Sequence, residues 1–225
     1  MERLSPVVKN LLILNIGMFI LQQLVPGTID GNGYEVPPHW DNEPLTYWFS
    51  QYDLRSPFFK PYQLFTSMFI HYDFGHILMN MLGLYMMGPI LESYVGDKKF
   101  VLLYMGAGLA GSFLTITLSY YFTTDPGYII YAASAGASGA VLGVVTAVAM
   151  IVPNLPVQLM FIPIPFKLKY GAMAFIAYDL YGAFRMTHGI HTGVGHFAHL
   201  GGAILGAILI LLWRKNSNMF NNRWD

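Results

Sequence analysis

Three short stretches of this chain combine side chains that can move a proton or hold a charge. "GASG" (Gly136 to Gly139) sets the hydroxyl of Ser138 between small residues at the start of an apolar run. "HYDFGHILMN" carries His71, His76 and Asn80, the last two spaced i, i+4 so that a helix presents them on one face. "AHLGG" carries His199 at the start of another apolar run. A hydroxyl is a weak nucleophile until a base takes its proton, and imidazole, with an ordinary pKa of about 6.5, suits that exchange near neutrality. Two donors aimed from one rigid helix face are what a developing oxyanion requires. The first turn of a helix at Ser138 would add unpaired N–H groups and the positive end of a dipole. The chemistry on offer is acyl transfer, with Ser138 as nucleophile and His199 as general base.

Each of these residues also has a structural reading. Ser138 in a small-residue run can be helix-packing material, His76 and Asn80 an interhelical hydrogen-bonding pair, and His199 a satisfied interfacial histidine. A rival functional reading groups His71, His76, His188, His191, His196 and His199 as a zinc or copper site, or as a histidine-lined metal transporter. A transport path needs ionisable groups along the membrane depth, whereas these gather at one end. His188, His191 and His196 are expected in a loop reached by water. Glu92 is expected to serve structurally, capping a loop or pairing with a basic group. No carboxylate is expected to orient His199, because Asp125 falls in a loop and Asp179 deep within a helix. The residues therefore predict a serine–histidine dyad, a legitimate variant of the activated nucleophile.

The elements that must position these groups follow from composition. The 225 residues are 55% hydrophobic and 11% charged, against about 25% charged in a typical soluble domain. Too few charges remain to coat a globule, so the lipid bilayer is the expected solvent. There is no cysteine, hence no disulfide or thiolate metal site, and a net charge of zero gives no electrostatic reason to expect nucleic acid. Apolar runs at about 7–25, 64–94, 99–121, 136–152, 168–185 and 197–213 predict six transmembrane helices in an all-α membrane protein. Gln22 and Gln23, in place of a small-residue cleavage site, mark the first run as a retained span. Asp73 and Gly75 break the second, whose helix proper should start near Gly75, capped by Asp73, and end before Gly96. Residues 1–225 read as a single domain with a large outer loop at about 26–63. Trp40, Tyr47, Trp48 and Phe58 of that loop suit the headgroup level. The stretch 161–165, rich in proline and apolar residues, suits a membrane-surface anchor.

Lysine and arginine set the direction. With six spans, Arg3, Lys9, Lys98, Lys99, Lys167, Lys169, Arg214, Lys215 and Arg223 share one side, against Arg55, Lys60 and Arg185 on the other. Both termini should be cytoplasmic, and helices two, four and six should run from outside to inside. Ser138, His199, His76 and Asn80 then fall in the outer half of the membrane, from three separate stretches of chain. Gly139 and Gly143, and Gly202 and Gly206, form G-x-x-x-G pairs that let helices four and six approach closely.

"HYDFGHILMN", "GASG" and "AHLGG", in that order and separation, resemble the rhomboid family of intramembrane serine proteases over residues 60–214. The resemblance implies a six-transmembrane-helix rhomboid-like bundle in a cell (inner) membrane, with its site facing the extracytoplasmic side. It implies Ser138 as nucleophile and His199 as the base that later protonates the leaving amine. His76, Asn80 and the Ser138 backbone N–H would form the oxyanion hole. Substrates would be single-span membrane proteins, cut near their outer end without metal or nucleotide cofactor. Two features depart from the pattern: Leu142 stands where many members carry an aromatic residue packing on the histidine, and the first loop lacks a Trp-Arg pair. His196, one turn before His199, competes for the role of base, although "AHLGG" favours His199. A non-catalytic rhomboid-like protein that binds membrane segments is the alternative class; such relatives typically lack the serine or the histidine, and this chain keeps both.

Overall fold

A helix that is apolar on every side belongs in the interior, and the stretch from Ser138 to Ile151 takes that position. In the computed structural model, which describes residues 5–25, 44–159 and 162–215, this helix is walled in by the other long helices. The chain is mostly helical. In order, the described elements are α1 (Pro6–Leu24), α2 (Pro44–Phe49), β1 (Gln51–Tyr52), α3 (Gln63–Thr66) with a 3₁₀ turn (Ser67–Phe69), α4 (Phe74–Val95) and α5 (Asp97–Phe122). Then come α6 (Pro126–Tyr131), β2 (Ala133–Ser134), α7 (Ser138–Ile151), β3 (Pro156–Leu159), β4 (Ile162–Lys167), α8 (Leu168–Thr187) and α9 (His196–Lys215).

Helices stand at each of the six apolar runs. Four of them, α1, α4, α5 and α9, are long and apolar enough to cross a membrane, and the chain is a multi-pass membrane protein. Their outward faces carry bare apolar side chains such as Ile13, Leu78, Leu102 and Leu211, an arrangement suited to hydrocarbon and costly in water. α7, with 14 residues, is about 21 Å long, short of a hydrocarbon core of about 30 Å.

The break expected in the second run lies where the side chains dictate. Asp73 is extended and accepts the His76 N–H at 2.8 Å, so it caps α4. Gly96, at φ 78°, ends the helix in a conformation glycine adopts freely. Glu92 is structural, as expected: buried near the end of α4, it accepts the N–H groups of Val7 and Val8 at 3.2 and 3.0 Å and caps the start of α1.

The loop before α4 has a small core of its own. Tyr47 packs edge to face on both Tyr52 and Phe58, so Tyr47 and Phe58 face inward, while Trp48 stays exposed. Trp40, Arg3, Arg223 and Phe161 lie outside the described residues. β1 pairs antiparallel with β2, Gln51 opposite Ser134 and Tyr52 opposite Ala133. That pairing ties the loop to the strand leading into Ser138. β3 and β4 form a hairpin between α7 and α8, with Ile164 exposed on it.

Candidate active site

Two helix starts meet at the site because glycine lets their backbones touch. A side chain on Gly202 of α9 would run into the carbonyl of Gly139 on α7, and one on Gly206 into that of Gly143. A Cβ on Gly139 would come within 2.9 Å of the Ala198 carbonyl. Gly111 of α5 meets the same Ala198 carbonyl, at 2.5 Å from its would-be Cβ, and holds α9 from the other side. This contact brings the first turn of α9 beside the first turn of α7. His199 Nε2 lies 2.8 Å from Ser138 Oγ, within hydrogen-bond reach.

Gly136 opens the wall opposite. Its φ of 118° belongs to the region that glycine alone enters without strain, and a Cβ there would sit 2.5 Å from His76 Nε2 and 3.7 Å from Asn80 Nδ2. His76 and Asn80 therefore face the turn that leads into Ser138, as their i, i+4 spacing predicts. Asn80 is only 5% exposed, and its Nδ2 donor has no hydrogen-bond partner. A buried unpaired donor is costly in a folded protein. His76 is held by stacking on Tyr72, whose hydroxyl donates to the Ala133 carbonyl at 2.8 Å.

His71 sits behind this wall. Gln22 of α1 donates to the His71 carbonyl at 3.1 Å and accepts the His71 N–H at 3.2 Å. Burial, reinforced by neighbouring His76, pushes the His71 imidazole down to about 4, so the ring is neutral near pH 7. Its Nε2 can then accept the Ala137 N–H, at a long 3.5 Å. His71 thus supports the backbone next to Ser138 rather than the pocket itself.

Ser138, His199, His76, Asn80 and Gly136 line one cavity of about 1700 Å³, whose wall also includes Val157 and Phe166 of the hairpin region. Met79, Met86, Phe175 and Tyr178 form much of its apolar wall.

Three expectations from the sequence need correction. First, a carboxylate does reach His199: Asp179 Oδ1 lies 3.0 Å from its Nδ1. Asp179 is only eight residues from the end of α8, about 12 Å at 1.5 Å per residue, so it reaches the depth of the first turn of α9. Second, His196 is not in a watery loop. It is the first residue of α9, 1% exposed, with its Nδ1 at 2.7 Å from the same Asp179 oxygen. Third, the six histidines do not assemble as one metal group. Among the described residues the cluster with ligand atoms close together is Asp179, His196 and His199, and its atoms are paired by hydrogen bonds. His188 and His191 are exposed, as expected.

Leu142 leaves no ring against His199 from α7, but α8 supplies one: Phe175 lies 5.8 Å from it, centroid to centroid. Phe175, Asp179 and Gly182 recur at i, i+4 and i+7, one helix face. That periodicity was the signal that could have found Asp179.

The fold and this arrangement define a class: a polytopic helical membrane protein whose short central helix starts with a serine in contact with a histidine. The Rhomboid domain family matches residues 59–216, and the chain belongs to the rhomboid family. Over 155 residues it is 32% identical to the mitochondrial presenilin-associated rhomboid-like protein A of Danio rerio, covering 66% of this chain and 38% of that protein. It is 30% identical over 142 residues to the mitochondrial rhomboid protein 1 of Saccharomyces cerevisiae, covering 63% and 39%. With the rhomboid protease AarA of Providencia stuartii the identity is 26% over 156 residues, covering 65% and 54%. The match thus spans about half or less of the length of these curated relatives.

Proposed function

We propose that this chain is an intramembrane serine endopeptidase that cuts single-span membrane proteins near the outer leaflet. The observation that carries the reading is the 2.8 Å contact between Ser138 Oγ and His199 Nε2, both lining a large cavity. The name of the AarA relative, a rhomboid protease, agrees with it.

In this reading His199 Nε2 takes the Ser138 proton as Oγ attacks the scissile carbonyl carbon. The carbonyl oxygen becomes an oxyanion, and the unpaired Asn80 donor, His76 and the Ser138 N–H stabilise it. The C–N bond then breaks, and His199 returns the proton to the leaving amine. Water, deprotonated by the same imidazole, attacks the acyl-serine ester; the C–Oγ bond breaks, His199 returns the proton to Ser138 Oγ, and the second fragment leaves as the acid. The residues need no metal or nucleotide for these steps.

The reading includes a single rhomboid-like domain over residues 1–225, six spans and cytoplasmic termini in a cell (inner) membrane. The site opens to the extracytoplasmic side. The excess of lysine and arginine on the side assigned to the termini supports this direction.

The test is covalent. A fluorophosphonate should label the purified protein at Ser138, and Ser138→Ala or His199→Ala should abolish both labelling and cleavage of a membrane-spanning substrate while the protein stays membrane-inserted. Normal cleavage by Ser138→Ala sinks the assignment. Binding of membrane segments without labelling points instead to a non-catalytic binding factor.

A further inference from the structure

Among the described residues, the side chains that hydrogen-bond Asp179 are two imidazoles. It is fully buried on α8, and its Oδ1 faces His196 Nδ1 at 2.7 Å and His199 Nδ1 at 3.0 Å, while Oδ2 has no hydrogen-bond partner. Desolvating a carboxylate is costly unless donors are turned toward it.

We infer that Asp179 is the positioning residue for His199 and that His196 holds Asp179 in place, so that Ser138, His199, Asp179 and His196 form one ordered array. The inference rests on the protease reading for its use, and on the geometry alone for its existence.

An ionised carboxylate only accepts hydrogen bonds, so each ring must present an N–H at Nδ1. That requirement fixes the tautomer. Nε2 of His199 is then bare, and it is the atom facing Ser138 Oγ. The hydroxyl donates to it, the arrangement a general base needs before it takes a proton. The other tautomer sets a lone pair of Nδ1 against a lone pair of Asp179 and leaves Nε2 unable to accept. When His199 becomes an imidazolium, the new charge forms one hydrogen bond from a buried anion, where solvent screens it least.

His196 has a different part. Its Nε2 is buried without a partner, and its ring lies flush on Gly182, where any Cβ would overlap it. A second proton on that ring would bury an N–H with no acceptor. In the array His196 gives its Nδ1–H to Asp179, and its aromatic contact with Tyr178, at 5.3 Å, fixes its plane. Two N–H groups converging on one oxygen satisfy it and set the carboxylate's rotamer. α8 builds the seat for both rings from one face, with Phe175 against His199, Gly182 under His196 and Asp179 between them. His196 and His199, spaced i, i+3, share one face of α9.

The test has a readout that needs no turnover. In ¹⁵N-histidine NMR of the intact wild-type protein in micelles near pH 7, with signals assigned from the His196→Asn and His199→Asn spectra, both rings should be Nδ1–H tautomers. An Nε2–H tautomer at His199 overturns the inference. Kinetically, Asp179→Asn should lower kcat by about 10⁴, the scale seen when a triad carboxylate is replaced, with KM changed less than about threefold, as expected when the loss lies in the chemical step. A folded Asp179→Asn protein with kcat within about threefold of wild type overturns the inference too, since a group acting through the base must appear in that step. If the variant does not fold, the wild-type tautomers decide. Gly182→Ala, which displaces the His196 ring and leaves Asp179 intact, should lower kcat about tenfold at unchanged KM. Both rings in the Nδ1–H form in a protein that fails to label with fluorophosphonate would sink the protease reading and leave the array standing.

Discussion

Gly202 of α9 lies directly on the carbonyl of Gly139 in α7, with no room between them for a single carbon. On α7 the residue before Gly139 is Ser138, and on α9 one turn before Gly202 stands His199. The helix crossing and the candidate chemistry are thus the same structural fact. Gly202→Ala must push two backbones apart, which no side-chain rotation relieves. It should cost about 3 kcal/mol or more and abolish fluorophosphonate labelling. Gly17→Ala on α1, where nothing lies within 4 Å of the would-be Cβ, should be neutral or slightly stabilising. Thermal unfolding in micelles compares the two; equal effects would remove the helix contact as the cause.

Asn80 separates catalysis from stability. Its Nδ2 gives no hydrogen bond to the fold, so Asn80→Ala should change stability by less than about 1 kcal/mol while slowing cleavage by about 10²–10³, the loss of one oxyanion donor. His76→Ala should slow it similarly. Single-turnover cleavage beside thermal melts checks this, and a rate loss that merely follows the melting temperature would count against the oxyanion role.

Asp53 makes stability depend on pH. Burial raises its carboxyl, but Arg55, through side chain and backbone, and the Ser119 hydroxyl outweigh that and hold it below the ordinary carboxylate value of 3.8. The contacts are 2.8 Å from Arg55 Nε, 2.9 Å from its N–H and 2.7 Å from Ser119 Oγ. A depressed folded-state pKa means that the stabilisation is complete above the unfolded value and is lost as pH falls through the folded one. Asp53→Asn should therefore cost about 1–2 kcal/mol at pH 7, and wild type and variant should converge in the most acid melts. A gap that ignores pH would show that Asp53 acts by shape alone.

Glu92 tethers α1. With both carboxylate oxygens on the N–H groups of Val7 and Val8, Glu92→Gln loses one acceptor and the charge that complements the helix start. The expected cost is about 1–2 kcal/mol, read from thermal unfolding. Hydrogen exchange should rise first at Val7 and Val8; exchange spread evenly over the molecule would argue against a local cap.

Much of this protein was legible in the linear chain because its governing signals are local. Runs of apolar residues gave helices within a residue or two of α1, α5, α8 and α9, and Asp73 and Gly96 marked the ends of α4 through capping chemistry that needs no distant partner. His76 with Asn80, Gly139 with Gly143, and Gly202 with Gly206 were visible because helical periodicity puts i, i+4 and G-x-x-x-G residues on one face. The glycine pairs also foretold that helices α7 and α9 would touch, as Gly202 on Gly139 does; what meets α8 was not visible. Asp179 was judged by its depth in one helix, yet its partners are fixed by how α8 crosses α9, and crossing depends on Gly182 yielding space to a ring from another helix. His196 was assigned to water for the same reason: sequence distance from a span says nothing about which buried carboxylate waits across the gap. Periodicity tells a side chain which way to face, and only packing in three dimensions decides what it finds there.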